Sequence, residues 1–140
     1  MVGLGYVGLP LAVTFGEAGV PVLGLDAVQA KVDRVNAGES YIEDVASDRL
    51  APLVREGTVR ATTSWDALRA VDAILSCLPT PLTEHREPAL SAVLGAAESL
   101  SQRLRPGHLV VLESTTYPGT TREEVAPVLE RSGLRAGRDF

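Results

Sequence analysis

The sequence has little of what marks a disulfide-stabilised, metal-binding or nucleic-acid-binding protein. It contains one cysteine, Cys77, so an intrachain disulfide is excluded, and no cluster of cysteines and histidines suggests a metal site. The net charge of -5 and the absence of a basic run argue against a nucleic-acid partner. No charged leader precedes an apolar signal core, and no apolar run approaches the ~18 residues of a membrane span. We therefore expect a cytoplasmic protein with no membrane partner.

What the sequence does contain is a glycine-rich turn at Gly3-Leu4-Gly5-Tyr6-Val7-Gly8. Its G-x-G-x-x-G spacing, ahead of an apolar helical run, is typical of a dinucleotide-binding turn. Gly3 would permit the tight turn, Gly5 would let a pyrophosphate approach the backbone, and Gly8 would let the next helix pack close to the sheet. The N–H groups at the start of that helix would then face the phosphates.

An acidic residue, Asp26, follows the turn at the spacing expected for a ribose-binding carboxylate, about 20 residues on. At the carboxyl end of a predicted strand it could accept both ribose hydroxyls of an adenosine. It would also repel a 2′-phosphate, so the cofactor predicted is NAD rather than NADP. The alternative is that Asp26 only caps the helix that follows.

Short apolar strands alternate with amphipathic helices along the chain, which is typical of βαβ units. Strands are predicted at 22–26, 59–62, 73–78 and 109–112, and helices at 9–18, 27–36, 48–56, 90–104 and 122–131, with a helical turn capped by Ser64 and running to Ala70. We predict an α/β fold with a Rossmann-type, doubly wound parallel sheet, forming one domain over residues 1–140.

Both ends of this predicted domain look cut. Only Met1-Val2 precedes the first glycine, where a central strand of five or six residues is expected, and the chain stops at Asp139-Phe140, where another strand should begin. We therefore expect a sheet truncated at both ends, with its first strand largely missing, and either coding sequence upstream of Met1 or a gene that is a degraded remnant. Because buried strand edges would be left unpaired, we expect residues 1–140 alone not to form a well-packed domain.

Two loops follow predicted strands at the edge of the sheet where ligands bind in parallel α/β folds. They are Pro79-Thr80-Pro81 and Glu113-Ser114-Thr115-Thr116. Thr80 and Thr115 could offer hydroxyls to a cofactor or a bound water, or these residues could merely shape turns.

Two further residues, a cysteine and a histidine, have side chains capable of chemistry. Cys77 lies inside an apolar strand without a neighbour that would lower its pKa, so we predict a buried, inert thiol rather than a nucleophile. His85 lies in a charged loop and is either solvated or in contact with an anionic substrate.

Four stretches together resemble the UDP-glucose/GDP-mannose dehydrogenase family, and more narrowly its branch acting on UDP-N-acetyl-hexosamines. They are Gly-Leu-Gly-Tyr-Val-Gly-Leu-Pro-Leu-Ala (3–12), Asn-Ala-Gly-Glu-Ser-Tyr-Ile-Glu-Asp (36–44), Pro-Thr-Pro-Leu-Thr-Glu-His-Arg-Glu-Pro (79–88) and Glu-Ser-Thr-Thr-Tyr-Pro-Gly-Thr-Thr (113–121). That family oxidises the C6 alcohol of a nucleotide sugar to a carboxylate by two hydride transfers to NAD, which serves polysaccharide precursor synthesis.

The resemblance implies roles for individual residues. The glycine turn with Tyr6 and Val7 would hold the pyrophosphate and Asp26 the adenosine ribose. Lys31 would lie near the adenosine end, unless it is simply a solvated lysine. Thr80 and Thr115 would line the nicotinamide side, and the threonine matching Thr115 in relatives helps hold a catalytic water. The partners implied are a UDP-sugar substrate and, for full-length members, further copies of the same chain.

The chain also departs from the family pattern. The family's nucleophilic cysteine, catalytic lysine and asparagine lie downstream of this region, Cys77 does not match that cysteine, and Ala89 and Ala92 replace an acidic and an aromatic residue. We therefore expect the central and C-terminal UDP-sugar-binding domains to be absent and the isolated chain to be inactive. The alternatives are a non-catalytic nucleotide-binding or interaction module, or another Rossmann enzyme such as a 3-hydroxyacid dehydrogenase, against which the loops 79–88 and 113–121 argue.

Overall fold

A computed structural model describes residues 1–82, 84 and 88–140 of the chain. His85 lies outside the described residues, so its prediction stays open. The chain falls into two compact units, Met1–Ser64 and Trp65–Phe140, and each is described by itself.

The first unit is a small parallel sheet covered by helices. Strand β1 (Val22–Leu25) pairs in parallel with β2 (Val59–Thr62), Val22 opposite Val59 and Leu25 opposite Thr62. The helices are α1 (Gly8–Glu17), α2 (Gln29–Asn36) and α3 (Ser47–Arg55). Each sends apolar side chains into the core, since Leu9, Val13, Val32, Val35, Leu50 and Leu53 are buried.

The two residues before the glycine turn pair beside β1 as the start of a strand would. Val2 forms a parallel bridge with Leu25. The Leu25 N–H donates to the Met1 carbonyl (2.8 Å) and the Gly3 N–H donates to the Leu25 carbonyl (2.7 Å). Val2 is 2% exposed, so even this short stretch is buried as a central strand would be.

The second unit also combines a pair of parallel strands with helices. Strand β3 (Ala73–Ser76) pairs in parallel with β4 (Leu109–Leu112), Ala73 opposite Leu109. A 3₁₀ helix (Trp65–Ala70) precedes β3, and α4 (Ser91–Ser101) lies between the strands in sequence. After β4 come a π-helical turn (Thr121–Val125), α5 (Ala126–Leu129) and a 3₁₀ turn (Glu130–Ser132).

The α/β fold and the parallel strands confirm the sequence prediction, with differences at element ends. Helix α2 begins at Gln29 rather than at residue 27, because the backbone at Val28 is extended and its N–H donates to the Asp26 carboxylate. The helix predicted at 122–131 is real but changes from π to α to 3₁₀ geometry. Helix α4 starts at Ser91 rather than at residue 90, and its N-cap residue, Leu90, provides no side-chain hydrogen bond.

No helix among the described residues is both long enough and apolar enough to cross a membrane. Within the same residues, no three histidine, cysteine or acidic side chains come together as a metal site.

Candidate functional site

The glycine turn has the conformation and the open surface that a bound phosphate group would need. Gly3 has a φ of +89°, a left-handed conformation that favours glycine. A Cβ at Gly5 would meet no atom within 4 Å, so its backbone faces open space. Tyr6 is 78% exposed and Val7 is 48% exposed. Helix α1 begins at Gly8, and the first N–H groups of a helix have no intrahelical acceptor.

Asp26 lies directly after β1 and is only 8% exposed. Its Oδ2 accepts a hydrogen bond from the Leu4 N–H (2.9 Å), and its Oδ1 accepts one from the Val28 N–H (3.0 Å). The Lys31 Nζ lies 3.6 Å from the same Oδ2. The side chain thus supports both the glycine turn and the start of α2. Each carboxylate oxygen can accept more than one hydrogen bond, so capacity for ribose hydroxyls remains.

Tyr41 has a place in this site that the sequence analysis did not assign. Its hydroxyl donates to the carbonyl of Leu4, inside the glycine turn, at 2.7 Å. Its ring centroid lies 5.9 Å from Lys31 Nζ and 5.4 Å from the Arg34 guanidinium carbon. Burial and the negative charge of Asp26 raise the pKa of Tyr41 to about 12. Its only signal in the sequence was its position inside the stretch 36–44.

In the second unit, two reciprocal hydrogen bonds join the loops that follow β3 and β4. The Thr80 hydroxyl donates to the Thr115 carbonyl (2.6 Å), and the Ser114 hydroxyl donates to the Leu78 carbonyl (2.7 Å). Thr80 and Thr115, which the sequence placed in two loops at the same edge of the sheet, therefore lie together. Thr115 is exposed, and its own hydroxyl has no hydrogen-bond partner in the part of the chain that the structure describes. Sequence analysis missed Ser114, although it adjoins Thr115.

Cys77 lies just after β3 and is buried. Burial raises the pKa of its thiol, which disfavours the thiolate that a nucleophile requires. The prediction of a buried cysteine is confirmed.

Comparison with known proteins decides the family. The profile of the UDP-glucose/GDP-mannose dehydrogenase family, NAD binding domain, matches residues 1–140. The chain belongs to that family. The resemblance seen in four stretches of sequence is thereby confirmed, as is NAD as the cofactor of the domain.

Curated members of the UDP-glucose/GDP-mannose dehydrogenase family align with this chain from end to end. Protein CapL of Staphylococcus aureus is 38% identical over 100% of the chain. UDP-N-acetyl-D-glucosamine 6-dehydrogenase of Pseudomonas aeruginosa is 39% identical over the same share. The alignment covers 32% of each relative, so the chain spans about a third of their length.

Solved structures of family members have the same fold. The crystal structure of GDP-mannose dehydrogenase from Pseudomonas aeruginosa superposes with a TM-score of 0.94 at 32% identity, over 99% of this chain and 33% of that one. The Rossmann-type fold predicted from the sequence is confirmed.

Proposed function

We propose that this chain is the NAD-binding part of an enzyme that oxidises the C6 alcohol of a UDP-N-acetyl-hexosamine to the carboxylate, for polysaccharide precursor synthesis. The observation that carries the proposal is the pairing of an open glycine turn with a buried carboxylate, Asp26, in a member of this family. NAD, when bound, supplies the hydride acceptor for the oxidation. We further propose a cytoplasmic enzyme made of several copies of one chain, with residues 1–140 as one domain.

The glycine turn would hold the pyrophosphate through its backbone. Open space at Gly5 admits a phosphate, which a side chain there would obstruct. The left-handed Gly3 makes the turn, while Tyr6, Val7 and Gly8 present N–H groups where the dipole of α1 favours negative charge.

Asp26 would bind the adenosine ribose and exclude a 2′-phosphate. Its two backbone hydrogen bonds keep the carboxylate at the end of β1, so it need not be ordered on binding. Lys31 offsets part of the charge of this partly desolvated carboxylate from 3.6 Å and would lie near the adenosine end.

Thr80 and Thr115 would serve the nicotinamide side. The Thr80 hydroxyl proton is engaged by the Thr115 carbonyl, so Thr80 remains available only as an acceptor. No described residue hydrogen-bonds the Thr115 hydroxyl, so it can donate to or accept from a water, which suits the water-holding role of the matching threonine in relatives.

The cofactor assignment is tested by titrating the protein at its natural length with NADH and NADPH and following fluorescence. We expect the protein to bind NADH more tightly than NADPH. Asp26→Asn should reduce the difference between the two affinities. The matched control is Asp44→Asn, the same substitution at an exposed position. This variant should bind NADH and NADPH with wild-type affinities. Equal affinity of the wild type for both cofactors would refute the assignment.

Turnover is a separate test, because the family chemistry needs a thiol nucleophile and the thiol of Cys77 is buried. We expect the 140-residue chain with NAD and UDP-N-acetylglucosamine or UDP-N-acetylmannosamine to give no NADH absorbance above the blank. Turnover that Cys77→Ala abolishes would show that Cys77 is the nucleophile after all. NAD binding without turnover at natural length would favour a nucleotide-binding module instead.

A further inference from the structure

The peptide groups on both sides of Leu4 are held by side chains from outside the glycine turn. The Leu4 N–H donates to Asp26 Oδ2 (2.9 Å), and the Leu4 carbonyl accepts from the Tyr41 hydroxyl (2.7 Å). Leu4 itself is 1% exposed. Its position and the direction of the chain entering Gly5 are therefore set by two polar contacts from residues distant in the sequence.

The same two side chains are also linked through Lys31. The Lys31 Nζ lies 3.6 Å from Asp26 Oδ2 and 5.9 Å from the centroid of the Tyr41 ring. These contacts connect four residues in a closed cluster, which we call the Leu4 cluster: Leu4, Asp26, Lys31 and Tyr41. The Arg34 guanidinium, 5.4 Å from the ring centroid of Tyr41, adds a second cation to the aromatic side chain.

We propose that Tyr41 is a positioning residue for the cofactor: it holds the Leu4 peptide and Lys31 in the arrangement that presents the glycine turn and the Asp26 carboxylate to the dinucleotide. The inference rests on the proposed function. No contact between Tyr41 and the cofactor is needed, because the effect passes through Leu4 and Lys31. A site whose backbone and carboxylate are fixed beforehand loses less conformational entropy on binding.

The position of Tyr41 in the fold supports this role over a purely packing one. It lies between α2 and α3, in a segment without regular secondary structure, and its side chain reaches 37 residues back to the glycine turn. Since its pKa is about 12, the hydroxyl keeps its proton and remains a donor over the range in which enzymes are assayed. The hydrogen bond to Leu4 is therefore present whenever the site is folded.

The decisive variant is Tyr41→Phe, which removes the hydroxyl and keeps the ring. In the protein at its natural length we expect the Kd for NADH to rise about threefold to tenfold, because binding must then fix a Leu4 peptide that the hydroxyl no longer holds in place. The KM for NAD should rise in parallel while kcat at saturating NAD stays near the wild-type value. Amide hydrogen exchange at Leu4 should accelerate, and the urea midpoint should fall, because the hydrogen bond is also present in the protein without cofactor.

The matched control is Ser40→Ala in the same segment. The Ser40 hydroxyl donates to the Ile42 carbonyl (3.1 Å) and accepts from the Ile42 N–H (3.2 Å), and it takes no part in the Leu4 cluster. We expect it to lower stability at least as much as Tyr41→Phe does while leaving NADH affinity unchanged.

Two results would overturn the assignment of Tyr41 alone. One is wild-type NADH affinity in Tyr41→Phe; the other is a loss of affinity in Ser40→Ala equal to that in Tyr41→Phe. A folded wild-type protein that binds no NADH would instead overturn the proposed function, and this assignment with it.

Discussion

Asn36, the last residue of α2, hydrogen-bonds both backbone groups of Ala61 in β2. Its Nδ2 donates to the Ala61 carbonyl (3.0 Å), and its Oδ1 accepts from the Ala61 N–H (2.8 Å). No strand among the described residues pairs with this edge of β2. The amide of Asn36 therefore occupies the place of a neighbouring strand and satisfies an edge that would otherwise be open to another chain.

Replacing Asn36 with alanine should lower the free energy of unfolding by about 1 kcal/mol, because water replaces both exposed hydrogen bonds only in part. Asn36→Asp keeps the acceptor for the Ala61 N–H but turns an oxygen toward the Ala61 carbonyl and adds a negative charge at the C-terminal end of α2, so it should be no more stable than the alanine variant. Urea unfolding of the three proteins makes the comparison. Wild-type stability in Asn36→Ala would show that the contact contributes nothing.

We expect His108 to make stability depend on pH. It is 2% exposed at the start of β4, and its Nδ1 accepts a hydrogen bond from the Arg105 N–H (3.2 Å). Burial and the nearby Arg105 charge lower the pKa of His108 below its ordinary 6.5, and the Val71 backbone and the Asp72 charge oppose this shift. The unfolded chain therefore binds a proton more readily than the folded one. Stability should be level above about pH 7 and decline as the pH falls from 6.5 toward the folded pKa.

Urea unfolding at about pH 8 and about pH 5 measures the contribution of His108. His108→Asn, which offers an acceptor oxygen to Arg105, should be less stable than wild type at the higher pH and should lose part of the pH dependence. His85→Asn, at the other histidine of the chain, is the control and should keep the dependence associated with His108. An unchanged pH dependence in His108→Asn would contradict the assignment.

Thr80 and Ser114 should be energetically coupled, since each closes one of the two reciprocal bonds between the loops after β3 and β4. Thr80→Val and Ser114→Ala should each cost about 1 kcal/mol of stability. The double variant should cost less than their sum, because either loss already loosens both loops. A double-mutant cycle by urea unfolding tests this, and strict additivity would mean that the two bonds act independently.

Two glycine-to-alanine changes should separate binding from stability. At Gly5 an added Cβ meets nothing within 4 Å, so Gly5→Ala should change the free energy of unfolding by less than about 0.5 kcal/mol. It should weaken NADH binding by about tenfold, since the methyl group takes space needed by the pyrophosphate.

At Gly24 in β1, a Cβ would lie 2.7 Å from Leu4 Cδ2, so Gly24→Ala should destabilise by about 1–3 kcal/mol through overpacking. Unfolding and fluorescence titration on both proteins give the comparison. Wild-type NADH affinity in a folded Gly5→Ala protein would count against the pyrophosphate site.

The parts of this site that sequence reasoning found are those whose chemistry is local. The glycine turn carries its backbone conformation in its own residues, and Asp26 follows it at a spacing that the fold dictates. Asn36 and Tyr41 could not be assigned in this way, because their partners Ala61 and Leu4 lie 25 and 37 residues away. Such contacts depend on how the helices and loops pack, which periodicity does not report.

The ends of helices were harder to predict for a related reason. The apolar spacing predicted the start of α2 at residue 27, but the bond from the Val28 N–H to Asp26 keeps that residue extended. The helix that begins at Thr121 changes from π to α to 3₁₀ geometry, and hydrophobic periodicity does not predict such a change either.

The double use of Asp26 as a backbone acceptor constrains how cofactor preference could evolve or be engineered. Replacing it with a small neutral residue, to admit a 2′-phosphate, would also take the acceptor from the N–H groups of Leu4 and Val28. A single substitution would thus relax the selectivity for NAD and weaken the glycine turn at the same time. A lineage moving toward NADP would need a second change that restores an acceptor for the Leu4 N–H, and the glycine turn stays supported throughout only if that change comes first.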